Sequence, residues 1–276
     1  MNEKTIERIS NINNKSFITL ALLFSTFAFT GCYKPAEEPV IVRMLPLTPK
    51  PAVLRSIAGE SIENRPIAYT VLGQGPDVIF IMAAIHGNEN AGTPLVHRLE
   101  SHLQQHPELL EERRIVLLPI ANPDGVARNS RYNARGIDLN RNFQASNRIN
   151  SYRFGYRALS EPEARAIALL IRLYAPDRIV SIHQPLACID YDGPSRELAD
   201  RMAEYCKLPL KKIGAKPGSL GSYAGMTIGI PVITLELPHA ADTFNQEQLW
   251  QQYGPALTAA IAYPYRADEN INNLSR

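Results

Sequence analysis

The 276-residue sequence has little of several features that mark particular classes of protein. It contains only three cysteines, and none forms a Cys-x-x-Cys pair, which argues against cysteine ligation of a metal and against redox chemistry. The formal net charge is only +2, and no basic stripe with interleaved aromatic residues occurs, so nucleic acid is not an expected partner. Internal repeats and glycine fingerprints of nucleotide-binding loops are also lacking. The remaining composition, 45% hydrophobic and 20% charged, is typical of a globular domain with a large core.

The N-terminal segment has the pattern of an export signal. Lys4, Arg8 and Lys15 precede an apolar stretch at 17–30, which is too short to span a bilayer as a mature helix but suits the apolar region of a signal peptide. The stretch ends in Phe-Thr-Gly-Cys, which resembles a bacterial lipobox except that phenylalanine stands where leucine is usual. We therefore expect lipidation of Cys32. A plain signal peptide or an uncleaved anchor is the alternative.

Composition divides the chain into four segments. A proline-rich stretch, with five prolines between residues 35 and 51, follows the export signal and suits an extended linker. We expect an exported, periplasmic protein that touches the membrane only through its N-terminal anchor. An oxidising periplasm would permit a disulfide between Cys188 and Cys206, but the sequence does not decide whether it forms. The predicted segments are a lipoprotein-type signal peptide at 1–32, the linker at 33–55, one folded domain at 56–264 and a polar tail at 265–276.

Within the folded domain, strand and helix patterns alternate. This alternation predicts an α/β fold, a three-layer sandwich with a mixed, mostly parallel central sheet. A capping box at Ser160–Glu163 is expected to open the second helix. The predicted strands are 78–85, 114–120, 178–182 and 231–236, after a hairpin at 59–72, and the predicted helices are 91–105, 160–174, 194–206 and 246–262.

Two histidines and a carboxylate follow strand-like runs. His86 and Glu89 come after the continuous apolar run at 78–85, which is typical of a strand buried on both faces and ends at a Gly-Asn turn. His183 closes the short apolar run at 178–182. The carboxyl ends of such strands form the edge of an α/β sheet where ligands bind. Two imidazoles and one carboxylate leave a fourth zinc position open, so the sequence predicts a hydrolytic zinc site.

The loop at 122–143 is rich in arginine. Guanidinium groups pair bidentately with carboxylates, so several on one loop indicate an anionic substrate group or a developing oxyanion. A solvated basic loop is the alternative for any single arginine. Apolar residues at Ile137, Leu139 and Phe143 indicate that the loop is anchored to the core.

Several segments occur in the order and approximate spacing of one family. They resemble the zinc carboxypeptidases of the carboxypeptidase A type, over about residues 60–262, and that enzyme is a known example of a two-histidine, one-glutamate zinc site. Four further segments are most similar to the bacterial murein peptide amidase A branch, whose members hydrolyse the bond between γ-D-glutamate and diaminopimelate. The family segments are His86–Glu89, Asn122–Gly125, Gly136–Phe143, Ser181–His183 and Thr234–Leu237, and the branch segments are Leu159–Glu163, His183–Cys188, Asp190–Pro194 and Pro217–Ser222.

The resemblance implies a carboxypeptidase-like fold with one Zn²⁺ per chain. It implies that His86, Glu89 and His183 hold the ion, and that Glu236, at the end of another strand-like run, is the general base. A carboxylate in that position can take a proton from the attacking water and pass it to the leaving amine, as peptide-bond hydrolysis requires.

The resemblance also assigns substrate contacts. Arg131 would polarise the scissile carbonyl, although Arg128 or Arg135 could exchange roles with it. Asn140 and Arg141 would clamp the free carboxylate of the residue that is released. The expected partner is therefore a short peptide with a free carboxyl end.

Two further expectations concern specificity. The substrate-covering tyrosine of the family has no match in the 214–216 stretch, and either Tyr223 substitutes for it or no residue does. Diaminopimelate carries an extra ammonium group, so an enzyme that prefers it should offer an acidic partner. Asp190 and Asp192, which follow the His183 strand, are our candidates, and a surface turn of Asp and Gly is the alternative.

These features together predict a zinc metallopeptidase acting on short cell-wall peptides. A deacylase of the aspartoacylase or succinylglutamate desuccinylase type is the nearest alternative, because that group shares the His-Gly-Asn-Glu and Asp-Leu-Asn-Arg segments. The Asn-Pro-Asp-Gly run and the murein-type segments favour the peptidase. A tethered peptide-binding protein that has lost catalysis is a third hypothesis, against which the intact Glu236 and ligand set argue.

Overall fold

A computed structural model describes residues 52–264, in which a seven-stranded sheet is covered by helices. No helix in this range is long and apolar enough to cross a membrane. Cys32, the predicted signal peptide and the predicted tail lie outside the described residues. The strands are β1 (Val53–Glu60), β2 (Pro66–Gly73), β3 (Asp77–Ala83), β4 (Arg113–Leu118), β5 (Arg178–His183), β6 (Leu186–Asp192) and β7 (Val232–Pro238). The α-helices are α1 (Gly92–Gln105), α2 (Pro123–Ala127), α3 (Pro162–Tyr174), α4 (Arg196–Ala203) and α5 (Gln246–Ala262).

The sheet is mixed, as the sequence predicts. Its strand order is β1-β2-β4-β3-β5-β7-β6. Neighbours among β4, β3, β5 and β7 run parallel, whereas β1, β2 and β6 pair with their neighbours in the antiparallel direction. Because β3 is central and every one of its residues is buried, its sequence is apolar on both faces rather than alternating.

Helices cover both faces of the sheet and make three layers. Successive strand residues point to opposite faces. Ile81 of β3 accordingly packs in the core that contains Leu95 of α1 together with residues of α4 and α5, while Phe80 packs in the core that contains Ile167 of α3. This sandwich places the carboxyl ends of β3, β5 and β7 at one edge.

The start of α3 differs from the prediction. The expected capping box at Ser160 is wrong, because α3 begins at Pro162 with Glu161 as its N-cap and no side-chain cap bond. Ser160 Oγ instead donates to Glu161 Oε1 at 2.9 Å and accepts from Asn142 Nδ2 at 2.9 Å. A buried polar network with the preceding loop therefore competes successfully with local capping. At the other end of the domain, β1 begins at Val53, inside the segment predicted as linker.

Strand β6 is absent from the sequence prediction. Aspartate is disfavoured in strands, and β6 contains two, so the local preference of this segment for a strand is weak. Its pairing with β7 decides the structure instead. The turn alternative for Asp190 and Asp192 is thereby excluded, and the two side chains face the same side of the sheet. Within the described residues, Cys188 on this strand and Cys206 are both free thiols.

A buried ion pair connects β3 to β5, and we expect its loss to lower the stability of the fold. Arg178, 3% exposed, donates to both carboxylate oxygens of Asp77, 1% exposed, at 2.7 and 2.9 Å. Asp77→Ala should lower the free energy of unfolding by about 3–5 kcal/mol, because it leaves a buried guanidinium without its partner. Asp200→Ala, which removes the exposed partner of Arg196, should cost less than about 1 kcal/mol. Urea unfolding measures both, and equal losses would contradict the prediction.

Candidate active site

The predicted ligand set converges at the carboxyl edge of the sheet. His86 and Glu89 lie in the turn after β3, and His183 is the last residue of β5. One candidate ligand atom from each of the three residues lies within 4.8 Å of the others, and all three residues are buried. The structure therefore brings together residues that are almost 100 positions apart in the sequence.

The donor geometry suits a metal ion. Nδ1 of His86 and Nδ1 of His183 each lie 2.8 Å from an oxygen of the Glu89 carboxylate, and the two imidazole centroids are 5.0 Å apart. His86 Nδ1 is buried, yet no partner among the described residues meets the geometry of a hydrogen bond to it. A buried nitrogen without a proper hydrogen bond, directed at the same point as another imidazole and a carboxylate, fits a zinc ion better than a hydrogen-bond network.

The turn that carries these ligands requires a glycine. A Cβ atom added to Gly87 would lie 1.9 Å from the backbone of Gly125, so the turn rests directly on α2. Asn122, the N-cap of α2, accepts from Gly125 N at 2.9 Å and donates to Ile85 O at 3.3 Å. The Asn-Pro-Asp-Gly run thus supports the metal-site turn from below, which the sequence alone does not reveal.

Asp138 orients one of the histidines and was not among the predicted site residues. Its Oδ1 lies 3.1 Å from His86 Nε2, whereas the other ring nitrogen, Nδ1, faces Glu89. Burial alone would raise the pKa of Asp138, but the hydrogen bond and charge of His86, with the charge of Arg131, outweigh it and lower the pKa to about 2. A carboxylate behind a metal-binding histidine holds its tautomer and ring orientation. The only sequence signal was its place in the Gly-Ile-Asp-Leu-Asn-Arg run.

This arrangement predicts a measurable loss of metal affinity. Asp138→Ala should weaken zinc binding about 10–100-fold, because His86 loses the partner that orients its ring. Asp138→Asn keeps an acceptor of the same shape and should lose less. Competitive zinc titration of both variants checks this, and an unchanged affinity in Asp138→Ala would refute the orienting role.

Arg131 lies closest to the ligand set among the three candidate arginines. It donates to Glu89 Oε1 at 2.9 Å and to Asp138 Oδ2 at 3.1 Å, and it lines the cavity beside the ligands. Arg128 and Arg135 are paired with carboxylates of other segments and do not line the cavity. The geometry therefore favours Arg131 over its two alternatives for contact with a substrate carbonyl.

The ligand set opens into a cavity of about 210 Å³. The predicted ligands line one part of the cavity, which we call the metal-binding end, and residues of β6 line another part, which we call the far end. The other predicted site residues line it as well: Arg131, Asn140, Arg141, Asp190, Asp192 and Glu236.

Asn140 and Arg141 lie on a short 3₁₀ helix at the side of the cavity. Asn140 Oδ1 accepts from Leu220 N at 2.8 Å, which fixes its amide. Burial lowers the pKa of Arg141 from its ordinary value, and the nearby Asp138 opposes this shift, so the guanidinium stays charged at neutral pH. Within residues 52–264 Arg141 has no ion pair, which leaves it available to a carboxylate of the substrate.

Glu236 lies across from the ligand set on β7. Its Cα pairs in register with that of His183, and the residue is 8% exposed. Burial raises the pKa of Glu236 above its ordinary value, and the nearby His183 partly opposes this shift. A carboxyl group whose pKa is raised is a better proton acceptor than a solvated one, which suits a general base.

Tyr223 does not take the place of a covering tyrosine. Its ring stacks on Phe143 at a centroid distance of 5.7 Å, in the core beneath α3, and it does not line the cavity. The backbone segment at 213–216 lines the cavity instead. The family's covering side chain therefore has no counterpart at Tyr223.

Residues 47–195, more than half of the chain, match the zinc carboxypeptidase family. The chain belongs to this family. Membership agrees with the ligand set and the fold, and it makes the protein a metallopeptidase for which zinc is the implied metal.

Individual relatives and solved structures support the same family. Murein peptide amidase A of Escherichia coli K12 is 36% identical over 176 residues, which cover 57% of this chain and 70% of the relative. Murein peptide amidase A of Vibrio campbellii is 29% identical over 227 residues, which cover 75% and 89%. The solved murein-tripeptide amidase of Escherichia coli O157 has a TM-score of 0.58 at 28% identity and covers 78% of this chain and 93% of its own. Carboxypeptidase A of Helicoverpa armigera, with a TM-score of 0.62 at 22% identity, covers 76% and 69% and supports the fold alone.

Proposed function

We propose that this chain hydrolyses the amide bond before the C-terminal residue of short cell-wall peptides, with γ-D-glutamyl-diaminopimelate as the bond cleaved. One observation carries the proposal: a single cavity contains the His86, Glu89 and His183 set, the buried carboxylate of Glu236 and the guanidinium of Arg141, which has no ion pair within residues 52–264. These are the groups needed to cleave an amide bond next to a free carboxylate. The names of the murein peptide amidase relatives supply the substrate class.

The chain's residues divide the work between binding and proton transfer. When bound, zinc supplies a Lewis acid that polarises a carbonyl and makes water more acidic. His86, Glu89 and His183 would hold it, and Asp138 keeps His86 in orientation. Glu236 takes the proton from the attacking water and returns it to the departing amine.

Two arginine side chains at the metal-binding end of the cavity position the substrate. The free carboxylate of the released residue pairs with Arg141 and accepts from Asn140, which places the scissile amide near Glu236. Arg131 faces the ligand set and stabilises the negative charge that develops on the carbonyl oxygen. The side chain of the released residue points to the far end, where Asp190 and Asp192 lie.

Export places this activity outside the cytoplasm. We propose that the protein is a periplasmic lipoprotein anchored through Cys32, because a basic start, an apolar stretch and a lipobox-like end occur together. In this location wall fragments are the available peptides. Cys32→Ala should move the protein from the membrane to the soluble fraction, and membrane association that persists in this variant would contradict lipid anchoring.

A digest of purified muropeptides tests the proposed reaction. Mass spectrometry should show the loss of a mass equal to diaminopimelate from peptides that end in it. A γ-D-glutamyl-diaminopimelate peptide and N-acetylaspartate, assayed side by side, separate the peptidase from a deacylase. Turnover of N-acetylaspartate alone would favour the deacylase. Zinc-loaded protein that binds the peptides but cleaves none would favour a peptide-binding protein.

A further inference from the structure

Three polar residues form a row across the far part of the cavity. Ser181 of β5 pairs in register with Thr234 of β7, which pairs with Asp190 of β6. Ser181 and Thr234 lie two residues before His183 and Glu236 on their strands. Side chains two residues apart on a strand point to the same face of the sheet, so Ser181, Thr234 and Asp190 all point into the cavity that they line together with His183 and Glu236. We call Ser181, Thr234 and Asp190 the polar floor.

Two groups of the polar floor lack the partner that their burial demands. Ser181 is 2% exposed, and its Oγ has no hydrogen-bond partner among the described residues. Asp190 is 6% exposed, and its Oδ1 accepts from the backbone Ile213 N at 2.8 Å, but no cationic side chain within residues 52–264 pairs with it. A buried carboxylate without a cation and a buried hydroxyl without a partner are both costly. A ligand that supplies a cation and a donor would satisfy both.

Asp192, two residues along β6, is in a different situation. Its Oδ1 pairs with Lys212 Nζ at 3.2 Å. Its Oδ2 is packed against the backbone at Gly221, where an added Cβ atom would lie 2.1 Å away. Asp192 therefore already has its cation, and its role is to hold the segment around Lys212 at the rim of the cavity.

We propose that Asp190, with Ser181 Oγ, recognises a primary ammonium group on the side chain of the released residue. This inference rests on the proposed function and narrows it, because it assigns the two aspartates different tasks. An ammonium group has three donors, enough for the carboxylate of Asp190 and the hydroxyl of Ser181. Arg141, at the metal end, holds the α-carboxylate of the same residue. The substrate class is thus a peptide that ends in an aliphatic residue with a side-chain ammonium, as diaminopimelate and lysine do.

Matched peptides test the assignment. A γ-D-glutamyl peptide that ends in lysine is compared with one that ends in norleucine, which has the same carbon chain without the ammonium. The measured quantity is the ratio of kcat/KM for lysine over norleucine. Asp190→Asn should lower this ratio at least about tenfold, since the acceptor oxygen remains but the negative charge that pairs with the ammonium group is lost, and Ser181→Ala should lower it severalfold. Asp192→Asn should change both substrates alike, and Asp200→Asn, a surface replacement of the same kind on α4, should change neither.

The outcomes are distinct. Retained cleavage of the norleucine peptide shows that Asp190→Asn is folded and competent. An unchanged ratio in Asp190→Asn, or a ratio that falls only in Asp192→Asn, overturns the inference. If the wild-type protein cleaves neither of these peptides nor a γ-D-glutamyl-diaminopimelate peptide, the proposed function fails instead. Calorimetric titration of the two peptides into Glu236→Gln, with and without Asp190→Asn, then gives the ratio of their binding affinities without turnover, so the ammonium site is still tested.

Discussion

Glu236→Gln is expected to lower kcat by about 10³-fold while the zinc content stays at the wild-type level. Glutamine has the shape of glutamate but cannot take a proton from water, so the variant loses only the proton transfer. Glu236 lies opposite His183 without belonging to the ligand set, and the metal site should survive its replacement. Steady-state rates on a γ-D-glutamyl-diaminopimelate peptide, with zinc measured in the same sample, check both parts.

Glu111→Gln is the matched control, since Glu111 is exposed and does not line the cavity. It should leave the rate unchanged. Wild-type activity in Glu236→Gln would exclude this residue as the general base of the reaction. A loss of zinc in Glu236→Gln would show that the residue belongs to the metal site instead.

His183→Ala is expected to weaken zinc binding by more than about 100-fold, beyond the range expected for replacement of Asp138, because it removes a ligand rather than a residue behind one. The activity of this variant should fall in parallel with its zinc affinity. It should not return when zinc is added at a concentration that saturates the wild-type protein. In the wild-type protein, a chelator should abolish activity and added zinc should restore it. Competitive zinc titration and peptide hydrolysis measure these effects.

His239→Ala provides the control for this experiment, because His239 is 89% exposed and does not line the cavity. Its zinc affinity and rate should match the wild type. Zinc affinity in His183→Ala equal to that of His239→Ala would mean that the convergence of His183 with Glu89 does not represent a metal site.

Regular elements with strong local patterns could be predicted from the sequence. The helical spacing between 246 and 262 predicts α5 with its observed bounds, and the apolar run after residue 77 predicts the buried strand β3. His86, Glu89 and His183 follow such strands, so their meeting at one edge of the sheet also follows from the chain alone. In these places local preference and tertiary burial favour the same structure.

Other parts of the site depend on contacts between distant segments. Ser160 looks like a helix cap, but Asn142, eighteen residues earlier, binds its hydroxyl. Asp138 looks like one polar residue in a loop until the fold places it behind His86. The choice of Arg131 among three arginines depends likewise on which carboxylate the folded chain brings near each of them.

The amino-acid sequence by itself determined the α/β class, the ligand types and the strand ends that carry them, because periodicity, apolar runs and turn residues act over a few neighbouring positions. Only the tertiary structure decided that Asp190 and Asp192 lie on a strand, and that one is paired with Lys212 while the other has no cation among the described residues. A pattern of neighbouring residues cannot distinguish two aspartates that are separated by a single position. Their difference arises from what β7 and the 212–221 segment place against each carboxylate, and such contacts cannot be read from neighbours in the chain.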